Sequence, residues 1–150
     1  DYRKTLFPLL IPFKDFYEDF NPRPYEFGIG LGKSGRKIYS TLHEMVHLLV
    51  AGETSGGKST FVRQMLIQLL SQDHPLLVYF IDLKKGVEGN LFKNDARVKI
   101  ITDVNPIVGL LEDLKKEMDK RLIMLQEKGV GDVNEYEEAT NKKIPRHLLI

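Results

Sequence analysis

A glycine-rich stretch between two apolar segments constrains this chain more than any other feature. It reads Gly52-Glu53-Thr54-Ser55-Gly56-Gly57-Lys58-Ser59 and matches the pattern G-x-x-x-x-G-K-[ST]. Residues 47–51 before it form an apolar run that predicts a buried strand. After it, a helix is predicted to about Ser71, because apolar side chains recur there at helical spacing (Phe61, Met65, Leu66 and Leu69). The sequence therefore predicts a strand, a tight loop and a helix in direct succession.

This arrangement suits the binding of a polyphosphate, which needs several donors that converge on it. Gly56 and Gly57 allow the unusual backbone angles and the close approach that such a loop requires. The helix that starts near Lys58 directs its positive end at the phosphates, and the Lys58 ammonium can reach the terminal ones. The Ser59 hydroxyl can bind Mg²⁺. A glycine turn without a ligand is disfavoured, because both flanking elements are predicted.

The rest of the chain predicts an α/β fold with a largely parallel sheet, since strands alternate with helices. Strands are predicted at 25–31 and 37–40, joined by a glycine-containing hairpin turn, then at 76–81 and 98–102. Asn105 is predicted to cap a long helix with Pro106 at its first position and Gly129 at its end. That helix carries an apolar stripe (Ile107, Leu111, Leu114, Met118, Leu122 and Leu125).

A short helix near 133–139 is predicted by Asp132 and Glu135, which fit the positions of a capping box. Pro145 precedes a last strand. Residues 76–81 are apolar throughout, which predicts a strand covered on both faces. Residues 1–24 are rich in aromatic residues and proline and read as an entry linker, with a short helix near 14–20; residues 25–150 read as one domain. The apolar ending and the missing initiator methionine predict a piece of a longer protein.

Composition excludes several classes of protein. The 150 residues contain no cysteine, which rules out disulfides, thiolate zinc sites, iron–sulfur clusters and a cysteine nucleophile. No apolar run approaches the ~18 residues of a membrane span. The net charge of +1 gives no nucleic-acid signature by itself.

Three weaker signals have competing interpretations. His43 and His47 stand in an H-E-x-x-H pattern, which binds zinc only on a helix; a loop that leads into a strand is favoured here. Asp82 ends an apolar strand, as a Mg²⁺-positioning aspartate does in phosphate-loop proteins, or is simply a strand-end residue. Two basic clusters could meet a phosphate backbone, although solvated surface is the favoured reading (Lys33, Arg36 and Lys37; Lys84 and Lys85).

Taken in order, the motifs from about residue 27 onward resemble the FtsK/SpoIIIE family of hexameric motor ATPases. The resembling segments are Ile29-Gly30-Leu31-Gly32-Lys33, His47-Leu48-Leu49-Val50-Ala51-Gly52, Ile81-Asp82-Leu83-Lys84, Glu117-Met118-Asp119-Lys120-Arg121 with Gly129-Val130, and Ile144-Pro145-Arg146. Three departures stand out. Ser55-Gly56 replaces the family's usual Gly-Ser, Leu83 replaces its proline, and Gly131 stands where arginine is usual.

The resemblance implies a RecA-like core that binds ATP and Mg²⁺ across residues 52–60, from Gly52 to Thr60. Lys58 is expected on the β- and γ-phosphates, and Ser59 and Asp82 are the candidate residues at the metal. It also implies a ring of subunits, six by family likeness, that moves double-stranded DNA. The ring is expected in the cytoplasm, and any membrane association would be made by regions outside this chain. The family's Asp-Glu pair is expected after Ile150, so this stretch by itself is expected to lack the glutamate that activates water. The alternatives are a protein-secretion ATPase of the same superfamily and a non-catalytic nucleotide-binding module.

Overall fold

The structure is a computed structural model, and it describes residues 12–14 and 20–150. The chain divides into two compact units, one that ends at His74 and one that spans Pro75–Ile150. Most of the short helix expected near 14–20, like most of the entry linker, lies outside the described residues.

In the first unit, strands β1 (Glu26–Leu31) and β2 (Lys37–Thr41) form the expected antiparallel hairpin. Its register shifts between Gly28 and Gly30, as at a β-bulge. Helix α1 (Lys58–Leu70) packs against β1. The helix length and its apolar stripe confirm the prediction, since Met65, Leu66 and Leu69 are buried. These side chains and the fully buried Phe27 provide the apolar interior of this unit.

The strand expected at residues 47–51 is wrong. These residues form no strand, and Leu49 is 90% exposed. A strand needs a neighbour for its N–H and C=O groups, and no described strand pairs with this segment. The apolar composition therefore identified a segment fit for a sheet without showing whether a partner strand was available.

The second unit contains a parallel three-stranded sheet in the order β4–β3–β5, formed by β3 (Leu76–Ile81), β4 (Val98–Ile101) and β5 (Arg146–Leu149). The sheet agrees with the predicted α/β class. In register, Val78 lies opposite Val98 on one side and Leu148 on the other. A 3₁₀ turn, Asn90–Phe92, lies between β3 and β4.

Strand β3 is not equally covered on its two faces, contrary to the prediction. Leu76, Val78 and Phe80 are buried, whereas Leu77 is 37% exposed and Tyr79 and Ile81 are half-buried. Side chains alternate between the faces of a strand, so one face of β3 is the better-covered one. The sequence cannot reveal this difference in burial, because the residues on both faces of the strand are equally apolar.

Two helices follow β4. Helix α2 (Asn105–Lys128) ends at Gly129, as expected, with a left-handed φ of 72°. It begins earlier than predicted, because Ile107 N–H already bonds the Val104 carbonyl at 3.0 Å, so Asn105 lies inside the helix instead of capping it. No residue of α2 is buried, and half of its predicted apolar stripe is exposed (Leu111, Met118 and Leu122).

Helix α3 (Val133–Thr140) has the predicted cap. The Asp132 carboxylate accepts hydrogen bonds from the N–H groups of Asn134 and Glu135 at 2.7 and 2.9 Å. Glu135 in turn accepts from Gly131 N–H at 2.6 Å, one residue before the position of the usual capping box. None of the helices in the described parts of the chain is long and apolar enough to cross a membrane.

Candidate nucleotide-binding site

The glycine-rich loop, residues 52–57, is a chain of turns and bends that lies on the surface and leads directly into α1. Gly57 caps the helix with a φ of 85°, in the left-handed region that side chains disfavour. At Gly56, a Cβ atom would come within 3.0 Å of the Glu53 carbonyl oxygen. Each glycine is thus required for its own reason, one for its backbone angle and the other for the close approach of the chain.

The amino end of α1 is open to an anion. No side chain caps it, and its first turn contains no acidic residue. The N–H groups of Lys58, Ser59 and Thr60 lie in the first turn and so lack acceptors within the helix. Phe61 N–H, the next one, bonds the Gly57 carbonyl at 2.9 Å. Uncapped donors and the positive end of the helix dipole therefore face the same exposed loop.

The Lys58 side chain folds back over this loop. Its Nζ donates to the carbonyl oxygens of Gly52 and Glu53, at 2.7 and 2.5 Å. These bonds place the ammonium on the inner side of the loop, against the backbone that a phosphate would meet. Thr54 and Ser55 form the turn at the far side of the loop, where they are exposed.

Ser55 shows a feature that the sequence did not reveal. Its φ is 63°, although it is not a glycine. A side chain in this region costs roughly 1–2 kcal/mol. Ser55 stands where the resembling family usually has glycine, so the exchange of Ser55 and Gly56 places the side chain at the left-handed position. The order of the small residues was visible in the sequence, but their backbone angles were not.

Asp82 follows β3 and is only 4% exposed. One carboxylate oxygen accepts from Lys84 N–H at 3.0 Å, and the other accepts from the N–H groups of Glu88 and Gly89 at 2.6 and 3.1 Å. Burial alone raises the pKa of Asp82, but these N–H groups and the Lys84 charge outweigh it and hold the pKa below its usual value. The carboxylate therefore stays ionised and organises the loop after β3. Asp82 belongs to the second unit and the phosphate loop to the first.

The H-E-x-x-H segment does not form a helix. His43 lies in a turn, His47 lies in a bend, and both are exposed. Glu44 accepts from Ser40 Oγ at 3.1 Å, from Thr41 N–H at 3.0 Å and from the Arg23 guanidinium at 3.2 Å. The glutamate therefore closes the turn after β2. The loop interpretation of this pattern is confirmed for the turn and bend, but the strand expected after them does not form.

Three glutamines that sequence reasoning missed, two in α1 and one just after its end, bond β1. Gly28 N–H donates to the Gln68 Oε1 atom at 2.8 Å, and Gln68 is only 1% exposed. Gln64 and Gln72 donate to the carbonyls of Gly28 and Glu26, at 3.4 and 2.7 Å. Four-residue spacing places the amides of Gln64 and Gln68 on one face of α1. The available signal was a glutamine within the apolar stripe, between Leu66 and Leu69.

Comparison with known proteins now decides the family. The model of the FtsK/SpoIIIE family matches residues 17–148. The chain belongs to the FtsK/SpoIIIE family. The family resemblance predicted from the ordered motifs is thus confirmed.

Relatives and a solved structure agree with this assignment. The chain is 29% identical over 140 residues to DNA translocase FtsK of Staphylococcus epidermidis, which covers 89% of this chain and 17% of that protein. It is 33% identical over 118 residues to DNA translocase FtsK of Caldanaerobacter subterraneus subsp. tengcongensis, which covers 75% of this chain and 17% of that protein. The chain therefore spans less than a fifth of the length of these relatives.

The pCW3 conjugation coupling protein TcpA, whose monomer was solved with ATPγS, is similar in structure. The TM-score is 0.76 at 31% identity, and the match covers 93% of this chain and 39% of that one. The mixed α/β fold with a parallel three-stranded sheet matches this FtsK/SpoIIIE-type structure.

Proposed function

We propose that this chain is part of the motor domain of an ATPase that moves double-stranded DNA, in chromosome segregation or in conjugative transfer. The observation that carries the proposal is the open, uncapped start of α1 behind a phosphate-binding loop, in a member of the FtsK/SpoIIIE family. DNA translocases and a conjugation coupling protein among its relatives support DNA as the cargo.

The residues of the loop fit ATP and Mg²⁺. Backbone N–H groups from Gly52 to Thr60 would surround the β- and γ-phosphates, in a loop that Gly57 turns and Gly56 tightens. The ligand in the solved TcpA structure, ATPγS, supports a nucleotide triphosphate. Mg²⁺, when bound, neutralises phosphate charge, and the Ser59 hydroxyl at the start of α1 is the side chain we assign to it.

Lys58 is the catalytic residue we assign in this part of the protein. Its Nζ now bonds two loop carbonyls, and we infer that it exchanges them for oxygens of the terminal phosphates. A cation held at that point stabilises the charge that develops during in-line attack of water on the γ-phosphate. The exchange keeps the ammonium hydrogen-bonded in both states, so little desolvation cost is added when the phosphates arrive.

Asp82 is a second, weaker assignment, as a residue that positions Mg²⁺. Its ionised state supports the role, whereas its three backbone donors support a role in the loop. Asp82→Asn separates the two, because the amide keeps one acceptor oxygen but loses the charge. A higher Mg²⁺ concentration for half-maximal hydrolysis is expected from a metal role. Lower thermal stability with unchanged Mg²⁺ dependence of hydrolysis would mean that Asp82 only stabilises the loop after β3.

The whole protein is proposed to act as a homo-oligomeric ring, six-membered by family likeness. The ring is placed in the cytoplasm, and any membrane attachment would be made outside this chain.

The test of the DNA-motor proposal is ATP hydrolysis by the full-length protein, with and without long duplex DNA, at low and high salt. Stimulation by DNA that fades with salt is expected, because contacts to phosphates release counterions. Lys58→Ala is the control that should abolish hydrolysis.

Two other results would overturn parts of the proposal. Hydrolysis that is indifferent to DNA would favour a protein-secretion ATPase of the same superfamily. Absence of hydrolysis, with nucleotide still bound, would favour a non-catalytic module.

A further inference from the structure

The tip of the β1–β2 hairpin is a concentrated positive surface. Between Phe27 and His43 the sequence contains three cations, Lys33, Arg36 and Lys37, and no aspartate or glutamate. The segment thus carries a charge of +3, whereas the whole chain carries +1. Lys33 and Arg36 are exposed and Lys37 is half-buried.

The turn that presents these cations has a fixed shape. Gly35 N–H bonds the Gly32 carbonyl at 2.9 Å, and Gly32 N–H bonds the Arg36 carbonyl at 2.9 Å. Gly35 has a φ of 76°, so the three-residue loop ends in a left-handed residue, a common hairpin geometry. A preorganised turn loses little conformational entropy when its side chains bind a partner.

Lys33 and Arg36 make no ion pair with any residue that the structure describes. Elsewhere, Arg97, Arg121 and Arg146 each bond a carboxylate within 3.1 Å. Lys33 and Arg36 therefore differ from these three arginines, whose charge is met by a carboxylate within the chain.

The acidic residues of the hairpin lie at its other end. Glu26 and Glu44 both bond Arg23 there. Strand β1 is six residues long, so this end lies about 17 Å from the tip at 3.3 Å per residue. That is about twice the screening length at physiological salt, roughly 8 Å, so these carboxylates do not offset the charge of the tip.

The hairpin is also joined firmly to the nucleotide-binding helix. The amides of Gln64 and Gln68 in α1, and of Gln72 just after it, bond β1 at Gly28 and Glu26. A partner held at the tip would thus contact a hairpin that is hydrogen-bonded to the helix following the glycine-rich loop. The sequence favoured an ordinary solvated surface for these cations. That interpretation accounts neither for the absence of acidic residues between Phe27 and His43 nor for the hydrogen bonds from the glutamines to β1.

We propose that Lys33 and Arg36 contact the phosphate backbone of duplex DNA. This inference rests on the proposed function, because it names the surface by which the motor domain meets its cargo. Lysine and arginine bind phosphate oxygens without reading the base sequence. A protein that moves DNA of any sequence needs contacts of this kind.

The test compares two variants of the full-length protein that remove equal charge. One is Lys33→Ala/Arg36→Ala, and the control is Lys115→Ala/Lys120→Ala, on the exposed part of α2 among acidic residues. Binding to a fluorescent 30-base-pair duplex is measured with ATPγS at several salt concentrations between 50 and 200 mM. Hydrolysis without DNA is measured alongside and should not change.

Each lost phosphate contact lowers the slope of log affinity against log salt by about 0.9. The tip variant should therefore lose about 1.8 from the slope, so its affinity falls about 12-fold less than that of the wild type between 50 and 200 mM salt. A slope equal to that of the control variant would overturn the inference and leave the proposed function intact. If the wild type binds no duplex even at 50 mM salt, the DNA-translocase proposal itself fails.

Discussion

Gln68→Met tests whether the glutamine contacts hold helix α1 against the hairpin. Methionine is close to glutamine in length and shape, so the change mainly removes the amide. Gln68 is 1% exposed, and its Oε1 accepts a hydrogen bond from Gly28 N–H at 2.8 Å. That N–H belongs to a buried part of β1, so the variant removes this acceptor from a buried donor.

A buried donor left without its partner costs about 1–3 kcal/mol. The weaker bond from Gln68 Nε2 to the Gln64 carbonyl, at 3.3 Å, is lost as well. Because methionine is better suited than an amide to an apolar site, part of the cost is recovered. We therefore expect a net loss of roughly 1–2 kcal/mol, which lowers Tm by about 2–4 °C per kcal/mol in a domain of this size.

The assay is amide hydrogen exchange, read at Gly28 and along β1, together with thermal unfolding. Exchange at Gly28 should accelerate about 5- to 30-fold, the factor equivalent to 1–2 kcal/mol. The matched control is Gln126→Met, at an exposed position of α2, which should change stability by less than about 0.5 kcal/mol. If Gln68→Met behaved like the control and Gly28 exchange stayed the same, the glutamine contacts would not brace the hairpin.

Four further outcomes are expected. Lys58→Ala should abolish MgATP binding or weaken it severely, because it removes the cation for the terminal phosphates; unchanged affinity in a titration would refute that role. Ser55→Gly should stabilise the domain by about 0.5–1 kcal/mol, since relief of the left-handed strain, roughly 1–2 kcal/mol, exceeds the added freedom of the unfolded chain, about 0.4–1 kcal/mol. Gly56→Ser should lower Tm, because its Cβ would lie 3.0 Å from a backbone oxygen. A Tm of Ser55→Gly below that of the wild type, and of Gly56→Ser above it, would contradict these two expectations. Burial and the neighbouring arginine lower the pKa of His147 below its usual value, against a nearby glutamate. The unfolded state therefore binds the proton first, and stability should fall as pH drops below about 6.5. His147→Gln should flatten this decline in Tm measured from pH 8 to 5, and an unchanged decline would refute this role of His147.

Much of the fold could be predicted from local signals. The bounds of α1, the end of α2 at Gly129 and the cap of α3 at Asp132 follow from the residues themselves. The hairpin between β1 and β2 follows from the glycines of its turn. Such features depend on backbone angles and on partners a few residues away, so a sequence contains what is needed to infer them.

The phosphate loop was equally visible, because its chemistry needs particular residue types at a fixed spacing. Its internal geometry was not. The left-handed Ser55 and the Lys58 bonds to the carbonyls of Gly52 and Glu53 appear only in three dimensions. Likewise, Asp82 holds the loop after β3 by accepting hydrogen bonds from N–H groups up to seven residues away, which the sequence did not reveal.

The sequence by itself determined the family, the α/β class and most of the helices and strands, and it predicted which residues meet phosphate. Only the tertiary structure decided how far each apolar segment is covered and which polar side chains join distant elements. Residues 47–51 and the stripe of α2 have the composition of buried segments, yet Leu49 and Leu122 are exposed. Gln68 is polar, yet it is buried and bonds Gly28, 40 residues away. Burial and long-range hydrogen bonds depend on which surfaces meet in space, and no local pattern of residues specifies that.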